Sequence, residues 1–259
     1  MKFAFSTLGC PDWSWEEIDA AAQDLGYQGV EIHGLGQRMP RLHAAVAQLQ
    51  RLKAAISCLT SAVGLHETDL GRRLREGEAY LNLAAKLGVP YIRVLGDTDP
   101  APGGQPFPRP QVKEGLQVLG SSGRAKGVAV LVETNGHLAD SRLMAELMEE
   151  VNEPGVGVLW NIHHPYRFFQ EQPQTTAGRL GKAIKYIHVK DSRCDNGKIH
   201  DCPIGAGDIP VRNALKTLLE QGFNGWLSLE WLKPDGEGPG NIFPHFINTM
   251  QRYLKDITG

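Results

Sequence analysis

No run of apolar residues in this 259-residue chain approaches the roughly 20 needed to cross a bilayer as a helix. The opening Met1-Lys2-Phe3-Ala4-Phe5-Ser6-Thr7 is strand-like and too short for the apolar region of a secretory signal. A cytoplasmic location without a membrane partner is therefore expected. Basic residues are not in excess: 27 Lys and Arg face 29 Asp and Glu, for a net charge of -2, and the signs are interspersed. With no basic stripe to neutralise a phosphate backbone, nucleic acid is not an expected partner. Cysteine is scarce, with Cys10, Cys58, Cys194 and Cys202 scattered and no CxxC pair, so free thiols in a reducing compartment are expected. Cys194 and Cys202 flank His200, but that spacing fits no common zinc module. P-loop and GxSxG signatures are missing as well.

What is present is an alternation. Short apolar runs occur at residues 3–7, 29–33, 55–60, 91–95, 128–133, 156–161, 184–190 and 225–230. Helical patterns follow at about 14–26, 40–53, 70–87, 111–126, 141–151, 176–182, 210–221 and 242–254. Ser14 with Glu17 three residues on reads as a capping box, and Gly88 just ahead of Pro90 reads as a helix stop. Strand and helix alternating about every 30 residues give βα units and a parallel sheet. Eight units in about 250 residues predict an α/β fold of one domain, residues 1–259, closed as a (β/α)8 TIM barrel with eight parallel strands. An open doubly wound sheet would need a glycine-rich turn after the first strand, where this chain has Ser6-Thr7-Leu8-Gly9-Cys10-Pro11. Two stretches break the rhythm, 97–110 after the fourth strand and 233–241 after the eighth. Both fall on the face where barrel enzymes do chemistry, as surface insertions or as a partial lid.

The strand ends read as a set. Val128-Ala129-Val130-Leu131-Val132-Glu133 is an apolar run that stops on a carboxylate, costly to bury unless paired or cation-bound. The sixth strand ends on Asn161 with His164 three residues on. The seventh carries His188 and then Lys190, and the eighth ends on Glu230 followed by Trp231. In a barrel these ends neighbour one another on one rim. Two carboxylates, an imidazole and an amide oxygen there make Glu133, Asn161, His188 and Glu230 a candidate site for a divalent ion: Mn²⁺, Mg²⁺, Co²⁺ or Zn²⁺.

Val132-Glu133-Thr134-Asn135, Trp160-Asn161-Ile162-His163-His164-Pro165, Tyr186-Ile187-His188-Val189-Lys190-Asp191 and Ser228-Leu229-Glu230-Trp231 resemble the sugar phosphate isomerase/epimerase family. That family lies in the xylose-isomerase-like barrel superfamily, with ketose 3-epimerases, inosose dehydratase, hydroxypyruvate isomerase and endonuclease IV. Pro203-Ile204-Gly205-Ala206-Gly207-Asp208-Ile209-Pro210 resembles its Gly-x-Gly-Asp turn after the seventh strand, and Phe5-Ser6-Thr7 and Val30-Glu31-Ile32 resemble its first two strand ends. The resemblance implies the same four metal ligands. It departs at Asn161, where the family's pattern has Asp and one negative charge is lost. His164 matches the histidine of the family's Asp-x-x-His.

The expected activity is a metal-dependent isomerase or epimerase of a sugar, polyol or keto acid. The ion would chelate a carbonyl and its adjacent hydroxyl, and Glu133 and Glu230 would flank the carbon between as bases. His164 and His188 would hydrogen-bond the developing oxyanion. Arg93, Lys190, Arg193 and His33 are expected at the substrate, with Trp15, Trp231 and Phe107 walling it. An inosose-type dehydratase would use the same ligands, and a non-catalytic binding barrel would follow from the impaired charge at Asn161. An endonuclease-IV-like site is disfavoured because Asp201-Cys202-Pro203 has Pro203 where that chemistry needs histidine. Members of that family are often dimers or tetramers, so a homo-oligomer is a candidate state, and the stretch from Trp231 to Phe243 is a candidate exposed surface for a partner.

Overall fold

A computed structural model describes residues 1–33, 42–97, 104–232 and 238–259. Residues 98–103 and 233–237, the middles of the two long loops, lie outside the described residues, as do Pro40 and Arg41 at the start of the second expected helix. The strands are β1 (Lys2–Ser6), β2 (Gly29–His33), β3 (Ala55–Gly64), β4 (Tyr91–Leu95), β5 (Ala129–Glu133), β6 (Val156–Asn161), β7 (Ile184–Val189), β8 (Asp191–Asp195), β9 (Lys198–Cys202) and β10 (Trp226–Leu229). All but β8 and β9 close a parallel barrel in the order β1-β10-β7-β6-β5-β4-β3-β2. The helices are α1 (Trp15–Leu25), α2 (Leu42–Leu49), α3 (Leu70–Leu87), α4 (Arg109–Lys126), α5 (Ser141–Val151), α6 (His163–Phe169), α7 (Pro173–Leu180), α8 (Val211–Glu220) and α9 (Pro239–Thr258). The capping box at Ser14 forms as expected: Glu17 N–H donates to Ser14 Oγ at 3.2 Å, and Ser14 N–H donates to Glu17 Oε2 at 2.7 Å.

Side chains alternate across each strand, so every run has one face for the helices and one for the barrel interior. Phe5, Val30, Val132, Trp160, Ile187 and Leu229 point outward into the large core shared with the helices. A second, smaller cluster fills the interior: Ala4, Cys58, Leu131, Leu159, Tyr186 and Trp226. Trp226 fits there because Gly29 has no side chain; a Cβ would come within 2.8 Å of the indole. Tyr186 closes this plug, its hydroxyl 2.8 Å from Ser57 Oγ. Two residues further along the same inward faces, the apolar plug gives way to polar groups.

Three features depart from the sequence expectations. First, β8 and β9 form an antiparallel hairpin in what reads as a loop. Its turn is Asn196-Gly197, both at positive φ (50° and 78°), the pairing that favours a two-residue hairpin. Second, α6 adds a helix directly after β6. Third, the two ends of the stretch expected to be exposed are packed inward: Trp231 and Phe243 are 2% and 1% exposed, while Leu232 between them is 51% exposed. Phe243 stacks on Phe5 with ring centroids 4.3 Å apart, a long-range contact the local pattern cannot announce. Cys10 and Cys58 are buried, and Cys194 and Cys202 lie on the hairpin; none of the four is joined by a disulfide.

The Gly-x-Gly-Asp turn is organised from within by Asp191. Its buried carboxylate accepts backbone N–H bonds from Ser192 (2.8 Å), Gly205 (2.8 Å), Gly207 (3.1 Å) and Ile209 (3.2 Å). Gly207 must be glycine here, since a Cβ would overlap the carboxylate. Removing the acceptor orphans four donors together. Asp191→Ala should therefore cost about 3 kcal/mol of unfolding free energy in urea titration, whereas exposed Arg193→Ala should stay within about 0.5 kcal/mol. A loss below about 1 kcal/mol for Asp191→Ala would contradict this role.

Candidate metal and catalytic centre

The inward alternation carries Glu133, Asn161 and His188 to the C-terminal rim above the apolar plug. Asn161 pairs in register with His188, and His188 with Ser228. Glu230 follows β10 directly, and its N–H still bonds Val189 O at 3.1 Å, so it continues the ladder. Glu31 and Arg93 reach the same level from β2 and β4. All are buried except Glu230, whose side chain is 13% exposed.

His188 is the hub. Its Nε2 lies 2.9 Å from Glu31 Oε2, and its Nδ1 lies 3.2 Å from Glu133 Oε1 and 3.6 Å from Glu230 Oε1. Glu31 Oε1 also accepts the Thr60 hydroxyl at 2.8 Å. Burial works against charge on His188, but Glu31, Glu133 and Glu230 together push its pKa well above the usual histidine range. Burial likewise opposes ionisation of Glu31, yet His188 and Thr60 hold its carboxyl down to about 2. Glu133 is held well below the ordinary carboxylate value: Arg93, whose Nε is 3.4 Å from Oε2, and His188 outweigh its burial. Asn161 sits between the acids. Its Nδ2 donates to Glu133 Oε1 at 3.0 Å and Glu230 Oε2 at 2.9 Å.

A cavity of about 290 Å³ opens over this cluster. Glu133, Glu230, His164, His33, Arg93 and Lys190 line it, with Leu8, Leu95 and Leu232 supplying apolar wall. His164 Nδ1 meets the Thr134 carbonyl at 2.9 Å, which can only accept, so the proton sits on Nδ1 and Nε2 is left as an acceptor. Burial lowers its pKa and keeps it neutral. Burial, then the neighbouring Arg93, also lowers His33. Lys190 Nζ pairs with Asp201 Oδ2 at 3.1 Å.

The remaining expected substrate residues do not line this cavity. Arg193 is exposed on the β8–β9 hairpin, its Nε donating to the Ala206 carbonyl. Trp15 begins α1 half-buried against the outer core, where Trp231 is also packed. Phe107 stacks on His137, centroids 5.8 Å apart. Sequence reasoning missed the role of Glu31. The available signal was a carboxylate two residues before His33 in an otherwise apolar strand, where period-two alternation turns both to the interior.

Ligand atoms of Glu133, His188 and Glu230 all lie within 4.8 Å of one another, the only such grouping found among the described residues. This donor set fits a divalent ion: two carboxylate oxygens and an imidazole nitrogen whose other ring nitrogen is held by Glu31. Asn161 turns its NH₂ toward the acids, and an amide nitrogen has no lone pair to offer, so only a turned amide would present Oδ1 to an ion here.

The family described as xylose isomerase-like TIM barrel matches residues 20–252. A search of curated proteins finds no match. Among solved structures, the probable 3-DHS dehydratase AsbF of Bacillus anthracis superposes with a TM-score of 0.79 at 17% identity, over 97% of this chain and 99% of that one. D-allulose 3-epimerase from a Methylomonas species gives 0.78 at 16% identity over 98% of each chain. The IOLI protein with a bound zinc atom gives 0.79 at 19% identity, over 99% of this chain and 98% of that one. At these identities the likeness is one of fold.

Beside the centre, α6 is tied down by a chain of donors. Arg167 can only donate, and its guanidinium meets Ser192 Oγ at 2.8 Å; the Ser192 proton is then free for His163 Nε2 at 2.9 Å. Burial, together with the nearby His164, Lys190 and Arg167, pushes the His163 pKa down to about 2. The unfolded chain takes up this proton below about 6.5, and the folded one does not until about 2. The stabilisation is thus complete above pH 6.5 and is lost progressively as the pH falls. In urea titrations between about pH 7 and pH 5, His163→Gln should flatten the acid loss of stability by about 1 kcal/mol per pH unit. An unchanged slope would mean that His163 is not held neutral.

Proposed function

The chain belongs to the xylose isomerase-like TIM barrel family, and from that premise we propose that it is an isomerase or epimerase of a ketose or a short hydroxy-keto acid, working by proton transfer next to a carbonyl. The observation that carries this reading is the pair Glu133 and Glu230: two carboxylates from separate strands, both lining one cavity, beside an imidazole that can share their charge.

Glu133 stays ionised through the neutral range because Arg93 and His188 favour its charged form despite burial. It therefore enters the cycle as a base, taking a proton from the substrate C–H. Glu230, on the other side of the shared Asn161 nitrogen, delivers or removes a proton at the same carbon or its neighbour. Arg93 is buried, and its Nε, 3.4 Å from Glu133 Oε2, makes no hydrogen bond among the described residues. Its remaining donors suit the developing oxyanion or a substrate carboxylate. His164 Nε2 accepts from a substrate hydroxyl and so helps to orient it. Glu133, His188 and Glu230 would hold a divalent ion, which when bound supplies Lewis acidity at the carbonyl. This reading treats residues 1–259 as one domain. A cytoplasmic setting agrees with the four unbridged thiols.

The test is solvent exchange. Incubated in D₂O with Mn²⁺ and a panel of ketoses and hydroxy-keto acids, the protein should incorporate deuterium next to the carbonyl of at least one substrate. Glu133→Gln and Glu230→Gln should each lower that rate by about a thousandfold. Loss of water in place of exchange would assign a dehydratase. No exchange by the wild type, or exchange that survives both variants, would sink the reading.

A further inference from the structure

We propose that Asn161 is an internal stand-in for the cation: its side-chain NH₂ cross-links Glu133 and Glu230 across the place an ion would take, so ion and amide compete for the same two carboxylates. This goes beyond the proposed reaction and does not depend on it.

The amide's orientation is fixed by its surroundings. Asn161 Oδ1 accepts the backbone N–H of His163 at 3.3 Å, and Nδ2 faces Glu133 Oε1 and Glu230 Oε2 at 3.0 and 2.9 Å. Turning the amide over would set its oxygen against two carboxylate oxygens and its nitrogen against an N–H, three repulsive contacts in place of three bonds. The backbone is pinned too: Asn161 N–H donates to Thr134 Oγ1 at 2.9 Å, and the Thr134 hydroxyl meets Asn161 O at 3.3 Å. Only the side-chain torsions are free to respond.

Both N–H donors of this fully buried amide are thus used, and they end on the two acids that would ligate the ion, while its oxygen is held by His163 N–H. Two carboxylates this close, one of them buried, need a positive or donating group between them, and here a neutral side chain joins His188 in supplying it. An ion bound between these acids would displace the amide from at least one of them, and His163 N–H would surrender its acceptor if the amide oxygen turned inward. The consequence is a barrel whose folded state does not require the ion and whose ion affinity is set by how readily one amide gives way.

Asn161→Asp reverses both properties. It adds a carboxylate where the donor was, so the metal-free protein is left with three adjacent acids. It also supplies the ion with a further charged ligand. In EDTA, Asn161→Asp should melt at least about 5 °C below wild type. By calorimetry it should bind Mn²⁺ at least about tenfold more tightly than wild type. Binding no tighter than wild type, or undiminished stability in EDTA, would overturn the proposal.

A second measurement needs no variant. In wild-type protein labelled with ¹⁵N-asparagine, one side-chain amide should show both protons protected from solvent exchange in EDTA. That pair should shift or lose protection on titration with Zn²⁺. No protected pair, or a pair that Zn²⁺ leaves untouched, would equally overturn it. Either failure leaves the exchange test of the reaction standing, because that test reads Glu133 and Glu230 and not the amide between them.

Discussion

Three carboxylates brought into the interior of a barrel must each meet a proton donor or a positive charge, or the strands carrying them would not close. That constraint governs this molecule. Glu31, Glu133 and Glu230 converge from three strands on one imidazole, and His188 answers all three, with Nε2 to Glu31 and Nδ1 between the other two. Arg93 adds a guanidinium beside Glu133, and Asn161 adds two amide donors. Lys190 is committed to Asp201. Removing one member of so dense a group leaves a buried charge without compensation, the costly outcome for buried ion pairs.

The barrel supplies this group with a floor and walls. Below it, Leu131, Leu159, Tyr186 and Trp226 fill the interior, so the charges rest on an apolar floor. Above it lies the cavity, with Leu8, Leu95 and Leu232 on its wall. Charge interactions are stronger in such a setting than at an open surface, which is the property a proton-abstracting site needs. The turn around Asp191 and the docking of α6 through Arg167, Ser192 and His163 hold the loops beside the centre in place without entering the cavity.

Much of this was legible in the sequence. Period-two alternation within apolar runs fixed which residues face the interior, and a carboxylate or histidine closing such a run announces itself, as Glu133, His188 and Glu230 do. Glu31 was less visible because it stands in mid-strand, and only its contact with His188, 157 positions away, gives it meaning. The β8–β9 hairpin carried its signal in Asn196-Gly197, but the strands around that turn are polar and lack the apolar alternation that marks a strand. The burial of Phe243 depends on Phe5 at the other end of the chain. Asn161 shows the deepest limit. Its position at a strand end was readable, and its amide oxygen was the natural ligand to expect, but which way an amide turns is decided by a backbone N–H and two acids from other strands.

The account stands or falls on how those groups share the centre with an ion, and a crystal soaked in Mn²⁺ with anomalous diffraction tests it most directly. The account requires one anomalous peak bounded by Glu133, His188 Nδ1 and Glu230. His188 Nε2 should remain on Glu31, and the Asn161 amide should be moved off at least one of the two carboxylates. A peak elsewhere, no peak at saturating metal, or an ion in place with Asn161 nitrogen still bridging both acids would contradict it.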